Sequence, residues 1–170
     1  LRRMRGMASD GWDGFFVVVS RIGYAHGVIP ADIALVVALA AWRRWREAVF
    51  AALAFCGSAL LNMGAKQFFQ RDRPSLWDSI APEHTFSFPS GHATFAMWLA
   101  VCLWPRASAL ARSLLAVYVI AVGLARINLG MHFPADVLVG YTIGASCAWL
   151  SWRLYLRQPN RLRLPPTRYI

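Results

Sequence analysis

Ala48-Val49-Phe50-Ala51-Ala52-Leu53-Ala54-Phe55-Cys56-Gly57-Ser58-Ala59-Leu60-Leu61 decides the fold. Fourteen residues pass without a charge, and no polar stripe recurs at helical spacing. A surface helix of a soluble bundle carries such a stripe; a helix apolar all round is buried or lies in lipid. Ser113–Ala125 has the same character. Three more apolar runs, Val28–Trp42, Ala93–Trp104 and Pro134–Trp152, join Ser113–Ala125 and the full run Ala48–Ala65 in a set of five, each followed by polar or basic residues. Several are shorter than the ~20 residues of a perpendicular span, so their ends belong in a protein-lined cavity or are extended by flanking residues. The pattern predicts an all-α, polytopic transmembrane helical bundle of five to six helices. The sixth candidate, Gly14–His26, is broken by Arg21 and preceded by Asp13. It reads as an interfacial amphipathic helix or a poor span.

The whole chain agrees with that fold. Of 170 residues, 58% are hydrophobic and 15% charged, which excludes a disordered tail. The mean hydropathy is +0.42. One domain is expected over residues 1–170, with 1–27 as an N-terminal or interfacial segment and 153–170 as a basic cytoplasmic tail. Leu1–Gly11 is basic, but no compact apolar core with a small-residue cleavage site follows it. The chain begins at Leu1 and not at Met, which leaves room for a further span upstream. Cys56, Cys102 and Cys147 each lie in an apolar run and are expected to be buried small hydrophobes.

A net charge of +10 on so apolar a chain suggests either basic membrane loops or a nucleic-acid partner. Position decides. Ten arginines flank one set of span ends: Arg43, Arg44, Arg46, Arg106, Arg112, Arg153, Arg157, Arg161, Arg163 and Arg168. Lys66, Arg71, Arg73 and Arg126 flank the other, with Arg21 beside them; Arg2, Arg3 and Arg5 stay unassigned. Trp42, Trp45, Trp104, Trp149 and Trp152 also gather at span ends, as an aromatic belt does. Cytoplasmic loops are richer in Lys and Arg, so the ten arginines are placed inside. The long connection Lys66–Gly91 and the turn Arg126–Pro134 then face outward. The arginines form no stripe and no aromatic residues interleave with them, so no nucleic-acid partner is expected.

Three clusters fall on that outward side. The first is Lys66-Gln67-Phe68-Phe69-Gln70-Arg71-Asp72-Arg73-Pro74. Lys66 is the only lysine in the chain, a functional suspect whose bland alternative is a snorkelling anchor. The second is Phe88-Pro89-Ser90-Gly91-His92 at the start of a span. Ser90 suits a helix cap, Gly91 permits close backbone approach by a ligand, and a helix N-terminus attracts an anion. The third runs from Arg126 through Gly130 and His132 to Pro134 and Asp136. Pro134 suits a first helical turn. Asp136, one turn beyond His132, can hold the imidazole's orientation and tautomer, although a His–carboxylate pair can also be structural. Together these are three cations, two histidines, a carboxylate and a helix N-terminus on one face of a membrane protein, where such groups mark function. Cations and N–H donors suit a phosphate dianion, and two histidines can divide nucleophile and acid between them. No carboxylate pair or HxxxH spacing supplies a metal site, and no cofactor is expected.

The order Lys-x6-Arg-Pro, Pro-Ser-Gly-His and Arg-x5-His-x3-Asp resembles the three-part signature of the type 2 phosphatidic acid phosphatase superfamily, across Lys66 to Asp136. That signature's third part usually begins Ser-Arg, and here it begins Ala125-Arg126. The resemblance implies a metal-independent phosphatase acting on a lipid phosphate or diphosphate through a phosphohistidine. It implies His132 as nucleophile, Asp136 as the residue orienting it, and His92 as general acid and then base. It implies Lys66, Arg73 and Arg126 as the phosphate clamp, with Ser90 and the Gly91 N–H completing the cradle.

The outward site, the small chain and its short loops make undecaprenyl diphosphate the first expected substrate. Phosphatidylglycerophosphate, phosphatidic acid and lipid A 1-phosphate are close competitors. A bacterial inner membrane is the expected location, with the site toward the periplasm and membrane lipids as partners. A non-catalytic phospholipid transporter is the rival from another class, and it requires neither His92 nor His132. Arg71 and Asp72 are expected to be solvated or headgroup-facing, with Arg71 also a candidate second phosphate contact. His84 and Glu83 are expected at the surface, His26 at the interface, and Asn62 hydrogen-bonded to a neighbouring helix.

Overall fold

The computed structural model describes residues 10–24, 26–75 and 85–157. Glu83, His84, Arg2, Arg3, Arg5, Arg161, Arg163 and Arg168 lie outside the described residues. Among the described residues all regular structure is helical: α1 (Asp10–Ile22), α2 (Val28–Ala41), α3 (Trp45–Phe69), α4 (Gly91–Leu103), a 3₁₀ turn (Trp104–Arg106), α5 (Ala109–Asn128) and α6 (Pro134–Leu156). The five apolar runs of the sequence are α2 to α6. Polar ends extend α3 to 25 residues and α6 to 23, lengths that the apolar core of each run understates. Residues 14–22 of the segment 14–26 form most of α1, and residues 23 and 24 turn away from it.

Helices α3 and α5 are long and apolar enough to cross a membrane. Their outer faces carry large apolar side chains that are mostly exposed among the described residues: Leu60 is 70% exposed, Met63 64% and Val117 64%. Apolar exposure on this scale suits lipid as the surrounding medium. Cys56 belongs to that outer face and is exposed, contrary to the expectation of burial, because it projects from α3 away from the bundle; Cys102 and Cys147 are half-buried.

Helix α4 is the central element. Ala93, Ala96 and Trp98 are fully enclosed, and α4 packs most extensively on α6. Two glycines allow that approach. A Cβ on Gly140 would lie 2.6 Å from the Ser90 carbonyl oxygen, and one on Gly144 would lie 2.1 Å from that of Thr94. Neither distance is tolerable, so the small-xxx-small pair of α6 sets the spacing of the two helices. Asn62 of α3 donates to Thr94 Oγ1 at 3.0 Å, the inter-helix bond expected of it.

The interior also holds Asp32 of α2, which is fully buried. Neither of its carboxyl oxygens has a hydrogen-bond partner among the described residues, and Ser58 Oγ and Trp98 Nε1 are in the same condition.

The two ends of the bundle differ. At one end Glu47 pairs with Arg44 and Arg106, and Ser151 Oγ donates to the Phe50 carbonyl. At the other end stand the C-terminus of α3, the N-termini of α4 and α6, and the 129–133 turn.

Candidate functional site

The three sequence clusters meet at that second end. Helix α3 stops where Gln70 takes a left-handed conformation (φ 42°) and its N–H bonds the Lys66 carbonyl. Lys66 sits in the last turn and its Nζ donates to the Phe86 carbonyl. The chain then runs extended. Ser87 N donates to the Arg71 carbonyl at 2.8 Å and Ser87 Oγ to the Asp72 carbonyl at 2.9 Å. These bonds fasten residues 71–73 beside 85–88, so the first and second clusters form one surface.

Ser90 caps α4 by accepting from Ala93 N at 3.5 Å, a long bond. Its own N–H donates to the Asp136 carbonyl at 3.0 Å, joining the start of α4 to the start of α6. A Cβ on Gly91 would meet Tyr24 and Asn62 no closer than 3.5 Å, which is ordinary contact. Packing by protein neighbours therefore does not require glycine there. His92 follows, 6% exposed, its ring stacked on Tyr24 at 4.4 Å between centroids and 17° between planes. It lies just before the apolar run of α4. Burial pushes the His92 imidazole well below its usual 6.5, and the nearby Arg126, His132, Arg73 and Lys66 push it further.

The third cluster owes its spacing to a helix terminus. Gly130 has φ 70°, its N–H bonds the Ile127 carbonyl, and the Met131 N–H bonds the Arg126 carbonyl. This is the Schellman pattern, and only a residue tolerant of positive φ suits Gly130. The His132 N–H also reaches the Arg126 carbonyl, at 3.2 Å. The motif's arginine thus closes the turn that presents its histidine. Pro134 then opens α6, and Asp136, in the first turn, accepts from Phe133 N at 2.9 Å.

His132 is 1% exposed and Asp136 is fully buried. The two ring nitrogens of His132 face different partners. Nδ1 lies 3.6 Å from Asp136 Oδ2, longer than a full hydrogen bond. Nε2 lies 3.4 Å from Arg73 Nη1. Arg73 is itself fixed, donating to the Met131 carbonyl at 2.9 Å and to the Thr85 carbonyl at 2.8 Å. Arg126 is buried to 1% and donates to Ser20 Oγ at 2.8 Å. All eight residues singled out in the sequence, Lys66, Arg73, Ser90, Gly91, His92, Arg126, His132 and Asp136, therefore stand at one end of the bundle.

Three further residues belong to this end. Arg71 is not merely solvated: its Nη1 pairs with Asp136 Oδ1 at 2.9 Å, and its guanidinium lies over Phe133 at 4.2 Å. The carboxylate it meets is 65 positions away in sequence, so the sequence suggested a solvated or headgroup-facing residue or a second phosphate contact, and not this pair. Ser20 and Tyr24 come from α1 and the turn after it, the segment with the weakest apolar signal. No spacing rule in the sequence points to them.

The PAP2 superfamily profile matches residues 47–159, most of the chain. A phosphatidylglycerophosphatase B from Bacillus subtilis (strain 168) is 29% identical over 140 residues, covering 74% of this chain and 66% of that protein. A decaprenylphosphoryl-5-phosphoribose phosphatase from Mycobacterium tuberculosis is 38% identical over 118 residues, covering 67% of this chain and 64% of that one. The chain thus spans just under two thirds of the length of each of these curated relatives. Among solved structures, LpxE of Aquifex aeolicus superposes with a TM-score of 0.76 at 28% identity, covering 89% of this chain and 92% of that one. A transmembrane PAP2-type phosphatidylglycerolphosphate phosphatase from Bacillus subtilis superposes with a TM-score of 0.82 at 22% identity, covering 95% and 85%, a likeness of fold. The chain belongs to the PAP2 superfamily.

Proposed function

We propose that this chain is a membrane phosphatase that removes the terminal phosphate of a lipid, with His132 as its nucleophile. The observation that carries the reading is the division of labour at the His132 ring. Asp136 faces Nδ1 and favours a proton there, which leaves the lone pair on Nε2. Arg73 faces Nε2, where the phosphoryl group would be held for attack. Lys66, Arg73, Arg126 and the capped N-terminus of α4 supply positive charge and N–H donors for the phosphoryl oxygens.

In the first step Nε2 bonds to phosphorus and the lipid oxygen leaves, taking a proton from His92. In the second, water attacks the phosphohistidine, passes a proton to His92 and releases inorganic phosphate. Lipid phosphate and water become lipid alcohol and phosphate; a diphosphate becomes a monophosphate. His92 must be protonated for the first step although its pKa in the free protein is low. The arriving dianion offsets the surrounding cations and raises it, so protonation of the acid is coupled to substrate binding.

The named relatives support a phosphoester on a long lipid. Undecaprenyl diphosphate, expected from the sequence, stands in the substrate panel beside phosphatidylglycerophosphate, decaprenylphosphoryl-5-phosphoribose, phosphatidic acid and lipid A 1-phosphate. The site end is assigned to the exterior face of a bacterial inner membrane, because the arginine-rich ends then lie inside. The deciding experiment is phosphate release from that panel by the purified chain and by His132→Ala. Wild-type turnover of at least one lipid, with a loss of ~10³-fold or more in the folded variant, is the expected result. Equal rates would remove His132 from the mechanism. No release from any lipid would favour the transporter reading. For orientation, Ser79→Cys and Arg44→Cys are placed singly in a chain with Cys56, Cys102 and Cys147 replaced by Ala. An impermeant thiol reagent outside the membrane should reach Ser79→Cys alone.

A further inference from the structure

The end of the bundle remote from the histidines contains a cavity of about 640 Å³ between α2, α3, α4 and α6. That volume lies within the ~300–1,000 Å³ typical of ligand pockets. Its walls are apolar, with Leu35, Leu39, Phe50 and Val101 among them. Beneath it lies the core group Ala54, Trp98, Leu99 and Ala148, two of whose members also line it.

Its rim is cationic. Arg44 and Arg106 line the cavity and share the single carboxylate Glu47. Further guanidinium groups lie over aromatic rings that line the same cavity: Arg46 over Tyr155 at 5.5 Å, Arg153 over Trp149 at 5.3 Å and Arg112 over Trp104 at 5.9 Å. Among the described residues, two arginines that line the chamber therefore share one carboxylate, and three more stack on its aromatic lining.

We infer that this cavity is a binding site for one anionic phospholipid, drawn from the leaflet opposite the His92–His132 site. An acyl chain matches the apolar walls. A phosphodiester headgroup matches the rim, where one carboxylate leaves the arginines in excess of charge. Basic pockets between transmembrane helices bind acidic headgroups in this way. The site is separate from the phosphatase centre. Glu47 and Lys66 lie on the same helix, and 19 residues at a 1.5 Å rise put them roughly 29 Å apart. A phosphate held at Arg44 and Arg106 does not reach His132. The bound lipid would brace four helices at the end where no long connection joins them.

The test is native mass spectrometry of the full chain from a neutral detergent, titrated with dioleoylphosphatidylglycerol or dioleoylphosphatidylcholine. Wild type is expected to bind one phosphatidylglycerol about tenfold more tightly than phosphatidylcholine. Arg44→Gln/Arg106→Gln should lower phosphatidylglycerol to the phosphatidylcholine level while phosphate release in detergent stays unchanged. Ala51→Trp, which fills the chamber from α3, should reduce binding of both lipids. His132→Ala should bind as wild type does, which separates this site from product held at the catalytic end. Equal affinity for the two lipids, or phosphatidylglycerol binding that survives both cavity variants, would overturn the assignment. So would a lipid-free dimer, which would give the chamber to a second copy.

Discussion

Each end of the bundle sets arginine against a carboxylate, two arginines on Glu47 and one on Asp136, and the two groups differ in what surrounds them. At the Glu47 end, Arg44 and Arg106 have side chains 32% and 48% exposed, and the carboxylate itself is 16% exposed. At the Asp136 end, the carboxylate is fully enclosed and shares its oxygens among Arg71, His132 and the Phe133 N–H. Solvent-screened pairs contribute little to stability and hold few atoms in place. An enclosed carboxylate with three partners fixes each of them. An arginine–carboxylate contact thus acts as part of a charged rim at one end and as a positioning group at the other.

The largest test of that contrast is Asp136→Asn against Glu47→Gln. Asp136→Asn should lower kcat by about 10³–10⁴-fold, the scale of losing a carboxylate that holds a catalytic histidine's tautomer. Glu47→Gln should leave phosphate release within about twofold, because a screened pair far from the chemistry contributes ~1 kcal/mol or less. Comparable losses in steady-state phosphate release would erase the distinction.

Arg126→Lys against Arg112→Lys comes next. Arg126 is buried and bonded to Ser20, so a lysine loses the planar fork and should cost about 10²-fold in kcat/KM. Arg112 lies at the rim and its replacement should not register in the same assay. Arg71→Gln tests a half-exposed cation on an enclosed carboxylate. A roughly fivefold fall in kcat is expected, equivalent to ~1 kcal/mol, and it should shrink in high salt; a loss as deep as that of Asp136→Asn would make Arg71 a direct phosphate ligand.

The smallest effect concerns acid stability. His92 binds a proton in the unfolded chain near 6.5 and resists it when folded. Its contribution is complete above 6.5 and declines as the pH falls below that value, because the unfolded chain then holds more protons. The thermal midpoint of wild type should therefore drop on acidification below 6.5, and less steeply in His92→Gln. Parallel slopes would mean that His92 is no more resistant to protonation than a solvated histidine.

The bundle and most of the candidate site were legible in the sequence for physical reasons. Apolar runs such as Ala48–Leu61 are legible because lipid tolerates no alternative composition. The three motifs are legible because each is local: a helix end at Lys66, a cap at Ser90, a Schellman turn at Gly130. Ser20, Tyr24 and the Arg71–Asp136 pair were not legible, because their partners are distant in sequence and meet only through tertiary packing. Asp32 shows the converse. It stands in an apolar run, where composition averaged over the segment conceals a single buried carboxyl group.

Gly140 and Gly144 carry one more consequence. His92 and His132, the acid and nucleophile of the proposed mechanism, belong to different pieces of chain, joined where α4 lies against α6. The gap between those two histidines is therefore calibrated by two missing methyl groups, one and two turns below Asp136. A larger residue at either position would act as a shim, widening the jaws of the site without touching a single group that meets the substrate.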